Sequence, residues 1–426
     1  MIPIARTSQA RVSQAAAFLA LLIAFALAFS PCASAGSKKK NAEATEPSKT
    51  PQIIDYSYIV WPNPPAVPRI RYINWYASDQ QKRDIEGKVQ KKSAWMDRLA
   101  GTQTQEEAFK LPFSLLQPNG LATDSQGRIY TADSKVGAIF IFDPESKQVD
   151  LIKHKTHASF NRIIGLAMDD NDRLFVSDPG LRHVLVFNAE HKAEDVITDG
   201  MVDPGNLAID TKNRLLYVSD IQLDQVLVYD ADSFKLLRKI GTSGHNHELT
   251  TAGDFAKPTG LAVDSDGNLY VCDTLNNRIE IFDADGTFIR EYGKNGDAPG
   301  TFARPKGIAI DSDGHIWVAD GVMDKVQVFN QQWQLLIAFG GHGLLPGQFQ
   351  GLVNIASDNK HNHIITSEIY PGRVQEFRYI TDAEADQMRK EREVQRANAA
   401  APKKDAGAAT ASAAPPAAAP KDAQPK

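Results

Sequence analysis

Cysteine is nearly absent from this chain: its 426 residues include only Cys32 and Cys272. The sequence contains no Cys-x-x-Cys-His motif, which excludes covalently attached haem. It also lacks a glycine-rich phosphate loop, a Gly-x-Ser-x-Gly nucleophile motif and a His-Glu-x-x-His zinc motif. The commonest sequence signatures of nucleotide-dependent enzymes, serine hydrolases and zinc proteases are therefore missing.

Long apolar runs are also missing, with one exception close to the N-terminus. Arg6 and Arg11 precede the apolar stretch Ala15–Phe29, which is followed by Pro-Cys-Ala-Ser-Ala ending at Ala35. This arrangement predicts a signal peptide, residues 1–35, and an exported protein that is periplasmic or extracellular, with association to the cell envelope as a further alternative. The run is too short for a comfortable membrane span, so we expect no transmembrane segment after cleavage. Lipidation of Cys32 is the alternative, although the preceding Pro31 fits it poorly.

The main feature that is present is a repeat. Lys257–Gly293 predicts four short strands separated by Asp-Gly turns and one polar loop, because glycine supplies the positive φ that such hairpins need. Five similar units surround it, and the leading aliphatic residues of the six units lie 41 to 54 residues apart, at Leu121, Leu166, Leu207, Leu261, Ile308 and Ile355. Six four-stranded units at this spacing predict an all-β, six-bladed β-propeller over 112–380.

The units resemble NHL repeats of the kind found in secreted bacterial propellers. The connections Gly293–Gly307 and Gly340–Gly351 strengthen the resemblance, since both contain the Gly-x-x-Gly and Pro-Gly-x-Phe elements typical of that family. The resemblance implies a propeller that binds a partner through the loops of one face.

The segments outside the repeats have separate predictions. Residues 36–68 are rich in lysine, proline and alanine and predict a flexible lead. In the following part, 69–111, Arg69–Tyr76 alternates like a strand and should supply the missing fourth strand of the sixth unit, closing the ring. Residues 78–100 predict a short helix before the first blade, on the face of the inter-blade loops. Residues 381–426 predict a charged helix to Ala399 and a disordered tail that serves as a spacer or binds polyanions.

Net charge bears on the partner. Residues 112–380 contain 24 basic and 36 acidic residues, a net charge of about −12. Because a reader of nucleic acid needs a basic face, this balance argues against nucleic acid and favours a protein, peptide or glycan partner. We expect the chain to be a monomer on its own.

Enzymes with this fold offer the main alternative, a metal-dependent hydrolase, lactonase or lyase with its site at the axial channel. The positions that match the zinc-binding histidines of peptide-amidating lyases contain no histidine. Asn119 resembles a calcium ligand of gluconolactonase-like propellers. Thr259 occupies a matching position in another unit, and Asn206 and Asn354 each lie one residue after a matching position, yet the matching positions supply no carboxylate. We expect no cofactor, with calcium or zinc as the alternative.

Aspartates recur at the ends of the predicted first and second strands of the units. A residue that every unit repeats favours a structural role, in which its carboxylate accepts backbone N–H bonds in a turn. We further predict that Asp273 pairs with Arg278, and Asp320 with Lys325, to close the second hairpin of their blades.

Candidate binding residues are assigned to the loops that a propeller gathers on one face. These loops are Leu181–His183, Gly241–Lys257, Lys294–Arg304 and Gly341–Gln350. The candidate residues are Arg182, His183, His245, His247, Asn276, Lys306 and His342, and His245 with His247 forms the only candidate metal pair. The sequence thus predicts an exported, non-catalytic binding or scaffold protein.

Overall fold

The structure is a computed structural model that describes residues 56, 58–78, 114–154, 156–242 and 251–400. The predicted signal peptide, most of the 78–100 helix and the 401–426 tail lie outside the described residues. Within the described ranges, no helix is both long enough and apolar enough to cross a bilayer.

Among the described residues, two strands precede the first blade, β1 (Val60–Trp61) and β2 (Ile70–Tyr76). Each of blades 1 to 5 is an antiparallel sheet whose four strands follow one another in sequence. Blade 1 contains β3 (Pro118–Thr123), β4 (Ile129–Asp133), β5 (Ala138–Phe142) and β6 (Val149–Lys153). Blade 2 contains β7 (Leu166–Met168), β8 (Leu174–Asp178), β9 (His183–Phe187) and β10 (Ala193–Ile197). Blade 3 contains β11 (Pro204–Asp210), β12 (Leu215–Asp220), β13 (Gln225–Asp230) and β14 (Leu236–Ile240).

The second half of the ring repeats this plan. Blade 4 contains β15 (Pro258–Val263), β16 (Leu269–Asp273), β17 (Arg278–Phe282) and β18 (Phe288–Tyr292). Blade 5 contains β19 (Pro305–Ile310), β20 (Ile316–Asp320), β21 (Lys325–Phe329) and β22 (Leu335–Gly340). Blade 6 contains β23 (Leu352–Asp358), β24 (His363–Glu368) and β25 (Arg373–Tyr379). The prediction of six blades is confirmed.

The sixth blade is closed by the N-terminal strand β2. This strand pairs antiparallel with β25, from Ile70 opposite Tyr379 to Tyr76 opposite Val374. The predicted closure is therefore confirmed. The structure adds a fifth strand that the sequence analysis placed in the flexible lead: β1 pairs with β2, and the Trp61 ring packs 5.1 Å from that of Phe339. For residues 60–61, the prediction of a flexible lead is wrong, because the indole anchors them.

Six buried apolar clusters hold the ring together, one at each interface between neighbouring blades. The second and third strands are apolar on both surfaces because each blade is covered on both sides, so almost all of their residues are buried. Cys272 lies in the cluster between blades 4 and 5 and is fully buried, and burial raises the pKa of its thiol far above the usual value. The cysteine is a core residue.

The first strands come close together around the axis, and glycine permits the approach. A Cβ on Gly120 would lie 2.3 Å from the carbonyl oxygen of Ile164, and one on Gly260 would lie 2.6 Å from that of Lys306. Any larger residue would have to displace the backbone of the next blade. Four of the six units have glycine at this position, whereas units 3 and 6 have Asn206 and Asn354 there.

One helix follows the propeller: α1 (Asp382–Ala400), as predicted from the charged extension. Thr381 precedes it as an N-cap, and Glu384 accepts a bond from the Thr381 backbone N–H at 2.9 Å, which forms a capping box. Arg69 pairs with Asp382, and Arg392 donates to the carbonyl oxygens of Pro65 and Ala66 at 2.9 Å. The helix is thereby tied to the closing strand and to the segment before it.

Candidate functional site

The two faces of the ring have different connections. The loop face contains the six loops between second and third strands, together with the connections between blades. The turn face contains the hairpins that join first to second and third to fourth strands. In five of the six blades a backbone hydrogen bond joins the loop between second and third strands to the connection before its own blade, as when Gly321 N–H donates to the Arg304 carbonyl at 2.9 Å. In blade 2 the connection bonds instead to Asp178, the acid that ends the second strand. All the loops predicted as binding segments therefore belong to the loop face, as far as they are described.

Buried carboxylates hold the loop face in shape. Asp320, at the end of β20, accepts N–H bonds from Ala303 and Arg304 in the inter-blade connection and from Val322 and Met323 in the loop. The equivalent acids are also buried, and they are Asp133, Asp178, Asp220, Asp273 and Glu368. Bonds from several N–H groups stabilise a carboxylate and fix the backbone that provides them. The structural role predicted for the second-strand aspartates is confirmed.

The predicted pairs at these loops have different outcomes. Arg278 binds Asp273 at 2.9 Å, as expected. The pairing of Asp320 with Lys325 is wrong: Lys325 is exposed, whereas Asp320 is buried and bonded to backbone N–H groups. Arg373 and Glu368 form the corresponding pair in blade 6.

The first-strand aspartates perform the same task on the turn face. Asp311, for example, accepts the N–H groups of Asp313 at 3.0 Å and His315 at 2.8 Å, and its second oxygen binds the Trp317 indole N–H at 2.8 Å. The other five accept comparable N–H bonds in their own hairpins, and they are Asp124, Asp169, Asp210, Asp264 and Asp358. The structural role predicted for this set is also confirmed.

The loop face also displays apolar side chains, which the sequence analysis did not identify. Of the fourteen exposed large apolar side chains among the described residues, seven lie on this face: Leu116, Leu181, Leu275, Val322, Leu344, Leu345 and Tyr370. We call these seven residues the apolar ring. Four of them occupy the loops of different blades, and Val322 is 64% and Tyr370 61% exposed. The signal in the sequence was one large apolar residue two or three positions after the strand-ending acid.

The predicted binding residues are in several different environments. Arg182 is exposed, with a left-handed φ of 56°. His183 starts β9, and burial lowers its pKa although Asp178 acts in the opposite direction. His342 is exposed and its Nδ1 lies 2.8 Å from Asp324. Asn276 donates to Asp273 at 2.8 Å and to the Asp254 carbonyl, so its amide holds the loop.

The histidine pair that the sequence analysis considered for a metal, His245 and His247, lies outside the described residues. Within the described ranges, no group of three or more histidine, cysteine, aspartate or glutamate side chains is arranged to hold a metal ion.

The axial residues are bonded to other protein groups. Asn354 Nδ2 donates to Asn206 Oδ1 at 3.2 Å across the ring. Asn119 Nδ2 donates to Ser134 Oγ at 3.0 Å and to the Gln117 carbonyl, and Thr259 Oγ1 lies 2.6 Å from Thr274 Oγ1. An axial cavity of about 230 Å³ lies beside the Asn206–Asn354 contact, and its lining residues include no carboxylate. A calcium ion prefers several oxygens, including charged ones, so these residues do not fit a calcium site.

A larger cavity of about 650 Å³ opens on the turn face. It is lined by residues of blades 3, 4 and 5, and in blade 4 the Asn268 side chain donates to the Asp264 carboxylate at 2.9 Å. In blades 1 and 2 the corresponding residue is an arginine, Arg128 or Arg173, that pairs with its own aspartate. The short asparagine thus leaves the cleft open.

Two sequence families match parts of the chain. Residues 115–142 match the NHL repeat, and residues 255–337 match a family described as a 6-bladed beta-propeller. The first match covers three strands of blade 1, and the second covers most of blades 4 and 5. The chain is a six-bladed β-propeller in which blade 1 matches the NHL repeat. No curated protein matches this propeller.

Solved structures share the fold at low sequence identity. A Bacteroides thetaiotaomicron protein of unknown function is 15% identical, has a TM-score of 0.50, and the match covers 62% of this chain and 70% of that one. A Xanthomonas campestris gluconolactonase is 20% identical, with a TM-score of 0.48 and coverage of 65% and 93%. The Staphylococcus aureus virginiamycin B lyase is 12% identical, with a TM-score of 0.46 and coverage of 63% and 85%. At these identities the similarity concerns the fold alone.

Proposed function

We propose that this NHL propeller is a non-catalytic binding or scaffold protein whose loop face recognises a protein or peptide. The observation that carries the proposal is the apolar ring. Large apolar side chains exposed together on one face are typical of interaction sites, whereas single ones scattered over a surface need no explanation. Half of the exposed large apolar side chains among the described residues lie on the loop face.

The support beneath the ring favours recognition as well. The loops are short, and buried carboxylates fix their backbones, as Asp133 does by accepting the N–H groups of Leu116, Gln117, Lys135 and Val136. A surface that is already in its binding conformation loses little conformational entropy when a partner docks. The ring contains one aromatic side chain, Tyr370, so it offers a glycan few stacking surfaces.

The proposal includes export. It rests on residues 1–35, with their basic start, apolar stretch and Ala-Ser-Ala ending. N-terminal sequencing of the protein from the producing cell tests it. A mature chain that begins at Gly36 supports cleavage, whereas a mature chain that retains residues 1–35 contradicts it.

The binding proposal is tested by selecting random 12-residue peptides displayed on phage against the full chain. A loop-face variant has Leu181→Ser, Leu275→Ser and Val322→Ser. A matched control variant has Val196→Ser, Leu237→Ser and Leu336→Ser, which are 45 to 49% exposed on the fourth strands. Selected clones should lose at least about tenfold in affinity for the loop-face variant, as expected for lost apolar contacts, and keep their affinity for the control. Equal losses on both variants would contradict the proposal, as would selection of no clone.

A further inference from the structure

Basic side chains surround the centre of the loop face. Lys135 and Arg182 lie in the loops of blades 1 and 2, and both are exposed. Lys257 and Arg304 directly precede the first strands of blades 4 and 5 and are also exposed, and Lys306 lies two residues further on. Since the first strands contact one another around the axis, Lys257, Arg304 and Lys306 lie near the centre of the loop face. We call these five residues and Arg162 the basic cluster.

We infer that the segment recognised by the loop face is an acidic peptide with apolar side chains, bound jointly by the basic cluster and the apolar ring. This inference rests on the proposed function and specifies the partner. It also explains how an acidic propeller can present a basic surface.

The acids of the loop face point inward. The six acids that end the second strands are at most 1% exposed. Asp224 and Asp324, the other acids of the loops, are also buried, and each accepts backbone N–H bonds. The net charge of residues 112–380 includes these carboxylates. They are buried, however, and backbone N–H groups lie between them and a ligand at the surface.

The same hydrogen bonds leave the basic side chains free to reach solvent. The backbone N–H of Lys135 donates to Asp133 at 2.9 Å, that of Lys257 to Asp224 at 2.8 Å, and that of Arg304 to Asp320 at 3.2 Å. Each carboxylate therefore binds the main chain of a basic residue, and the side chain extends away from it. A lysine or arginine fixed in this way is available for an anionic partner.

Few exposed acids oppose the basic cluster. Arg162 pairs with the half-exposed Asp203 at 2.8 Å. For the other five members, no salt bridge forms within the described part of the chain. Asp199, Asp254 and Asp297 are the remaining acids of the described inter-blade connections that solvent reaches, and they lie farther from the first strands in sequence.

Members of the apolar ring and of the basic cluster are neighbours on the loop face. This arrangement favours one class of partner. Leu181 is next to Arg182, Leu116 is bonded to the same Asp133 as Lys135, and Val322 shares Asp320 with Arg304. A nucleic acid would use the charges and leave the aliphatic side chains in water, because its bases stack on aromatic rings. An acidic peptide with leucine or similar residues satisfies both sets at once.

Fluorescence anisotropy of the full chain with three labelled probes tests the inference. The probes are a 14-residue peptide of alternating glutamate and leucine, the same peptide with lysine for glutamate, and poly-uridine RNA. The test variant has Lys257→Glu and Arg304→Glu. Its matched control has Lys212→Glu and Arg290→Glu, two exposed residues away from the loop face.

The glutamate–leucine peptide should bind at least about tenfold more tightly than the lysine–leucine peptide. The test variant should lose at least about tenfold in affinity and the control variant less than about twofold, since an exposed ion pair is weak by itself but the two reversed charges act together. Raising the salt from 50 to 300 mM should weaken binding, because salt screens exposed charges.

Three outcomes of the anisotropy measurement overturn the inference. Tighter binding of the lysine–leucine peptide would show that the loop face prefers positive charge. Equal losses of affinity in the test and control variants would show that the peptide does not bind at Lys257 and Arg304. Preferential binding of poly-uridine, lost in the test variant, assigns the basic cluster to nucleic acid. If the phage-selected clones depend on the apolar ring but not on Lys257 and Arg304, the inference fails and the proposed function stands. If no peptide depends on either set, both fail.

Discussion

Asn206 and Asn354 form a hydrogen bond across the ring, with Asn354 Nδ2 donating to Asn206 Oδ1 at 3.2 Å. The two residues belong to blades 3 and 6, which face each other in a six-bladed ring. Replacing both by alanine should cost less than the sum of the single replacements, because the second change removes a bond that the first has already broken. We expect a coupling free energy of about 0.5 to 1.5 kcal/mol.

Urea unfolding of the two single variants and the double variant measures this coupling. The pair Asn119→Ala and Asn206→Ala is the control, since no hydrogen bond joins those two side chains. Fully additive losses for Asn206 and Asn354 would show that the bond contributes nothing in solution.

The carboxylate of Asp320 should be a large contributor to stability. Asp320→Ala leaves several buried N–H groups without an acceptor, and each such group costs about 1 to 3 kcal/mol. The expected loss in free energy of unfolding is at least about 3 kcal/mol, measured by urea or thermal unfolding. Asp285→Ala, at an exposed turn, should cost less than about 0.5 kcal/mol, and a similar loss for the two variants would contradict the role assigned to Asp320.

Glu280 should make the stability of the propeller depend on pH. Burial raises its pKa to about 7 from an ordinary 4.5, although Arg278 lies 2.7 Å away. Folding therefore favours the protonated acid. The contribution of this group is full below about pH 4.5 and is lost as the pH rises through 7, a change on the order of 1 to 3 kcal/mol.

Glu280→Gln removes this titration. The corresponding residue of blade 5, Gln327, accepts the Gly300 N–H at 2.7 Å and donates to the Thr301 carbonyl at 2.8 Å, so glutamine fits the position. The variant should gain stability over the parent at pH 8 and lose that advantage at pH 4.5. Glu145→Gln, at an exposed turn, should show no such difference. Parallel pH profiles for Glu280→Gln and the parent would refute the assignment.

Asn268→Arg should fill part of the cleft on the turn face. The arginine would pair with Asp264 as Arg128 pairs with Asp124 and Arg173 with Asp169. We expect a gain of about 0.5 to 1 kcal/mol in thermal unfolding, in the range of cavity-filling and charge-optimising changes. Asn268→Ala, which loses the 2.9 Å bond to Asp264, should lower stability, and the same sign of change in both variants would disprove the explanation for the cleft.

Tyr72 should be essential to the closing strand. It is 1% exposed, and its ring contacts that of Phe377 edge to face at 5.4 Å. Tyr72→Ala should cost about 3 to 5 kcal/mol, as large aromatic residues in cores do, whereas Arg71→Ala, at the exposed neighbouring position, should cost less than about 1 kcal/mol. Chemical denaturation followed by tryptophan fluorescence distinguishes the two variants, and equal losses would contradict the importance of the packed ring.

The sequence predicted the ring because its pattern is local and repeated. Each blade has its own turns and its own strand-ending acids, and the closing strand followed from a missing strand in blade 6. β1 escaped prediction because two residues, Val60 and Trp61, show no alternation. The sequence also did not predict the basic side chains at the centre of the loop face. The net charge includes Asp133 and Asp320 like any exposed acid, although both are buried. The cleft beside Asn268 depends on the length of this one side chain, which the spacing of residues in the sequence does not show.

The closing strand also determines when the ring can exist. Tyr76 donates to the Glu376 carboxylate at 2.6 Å, so the two partners of this buried bond are 300 residues apart in sequence. During synthesis, β2 is among the first described strands to appear, and apart from the two-residue strand β1 it has no strand partner until β25 is complete. Contacts this distant slow folding, because a long loop must close before they form. β25, the last strand of the described residues, therefore completes the ring, and a chain interrupted before Tyr379 would expose strand edges in place of a sixth blade.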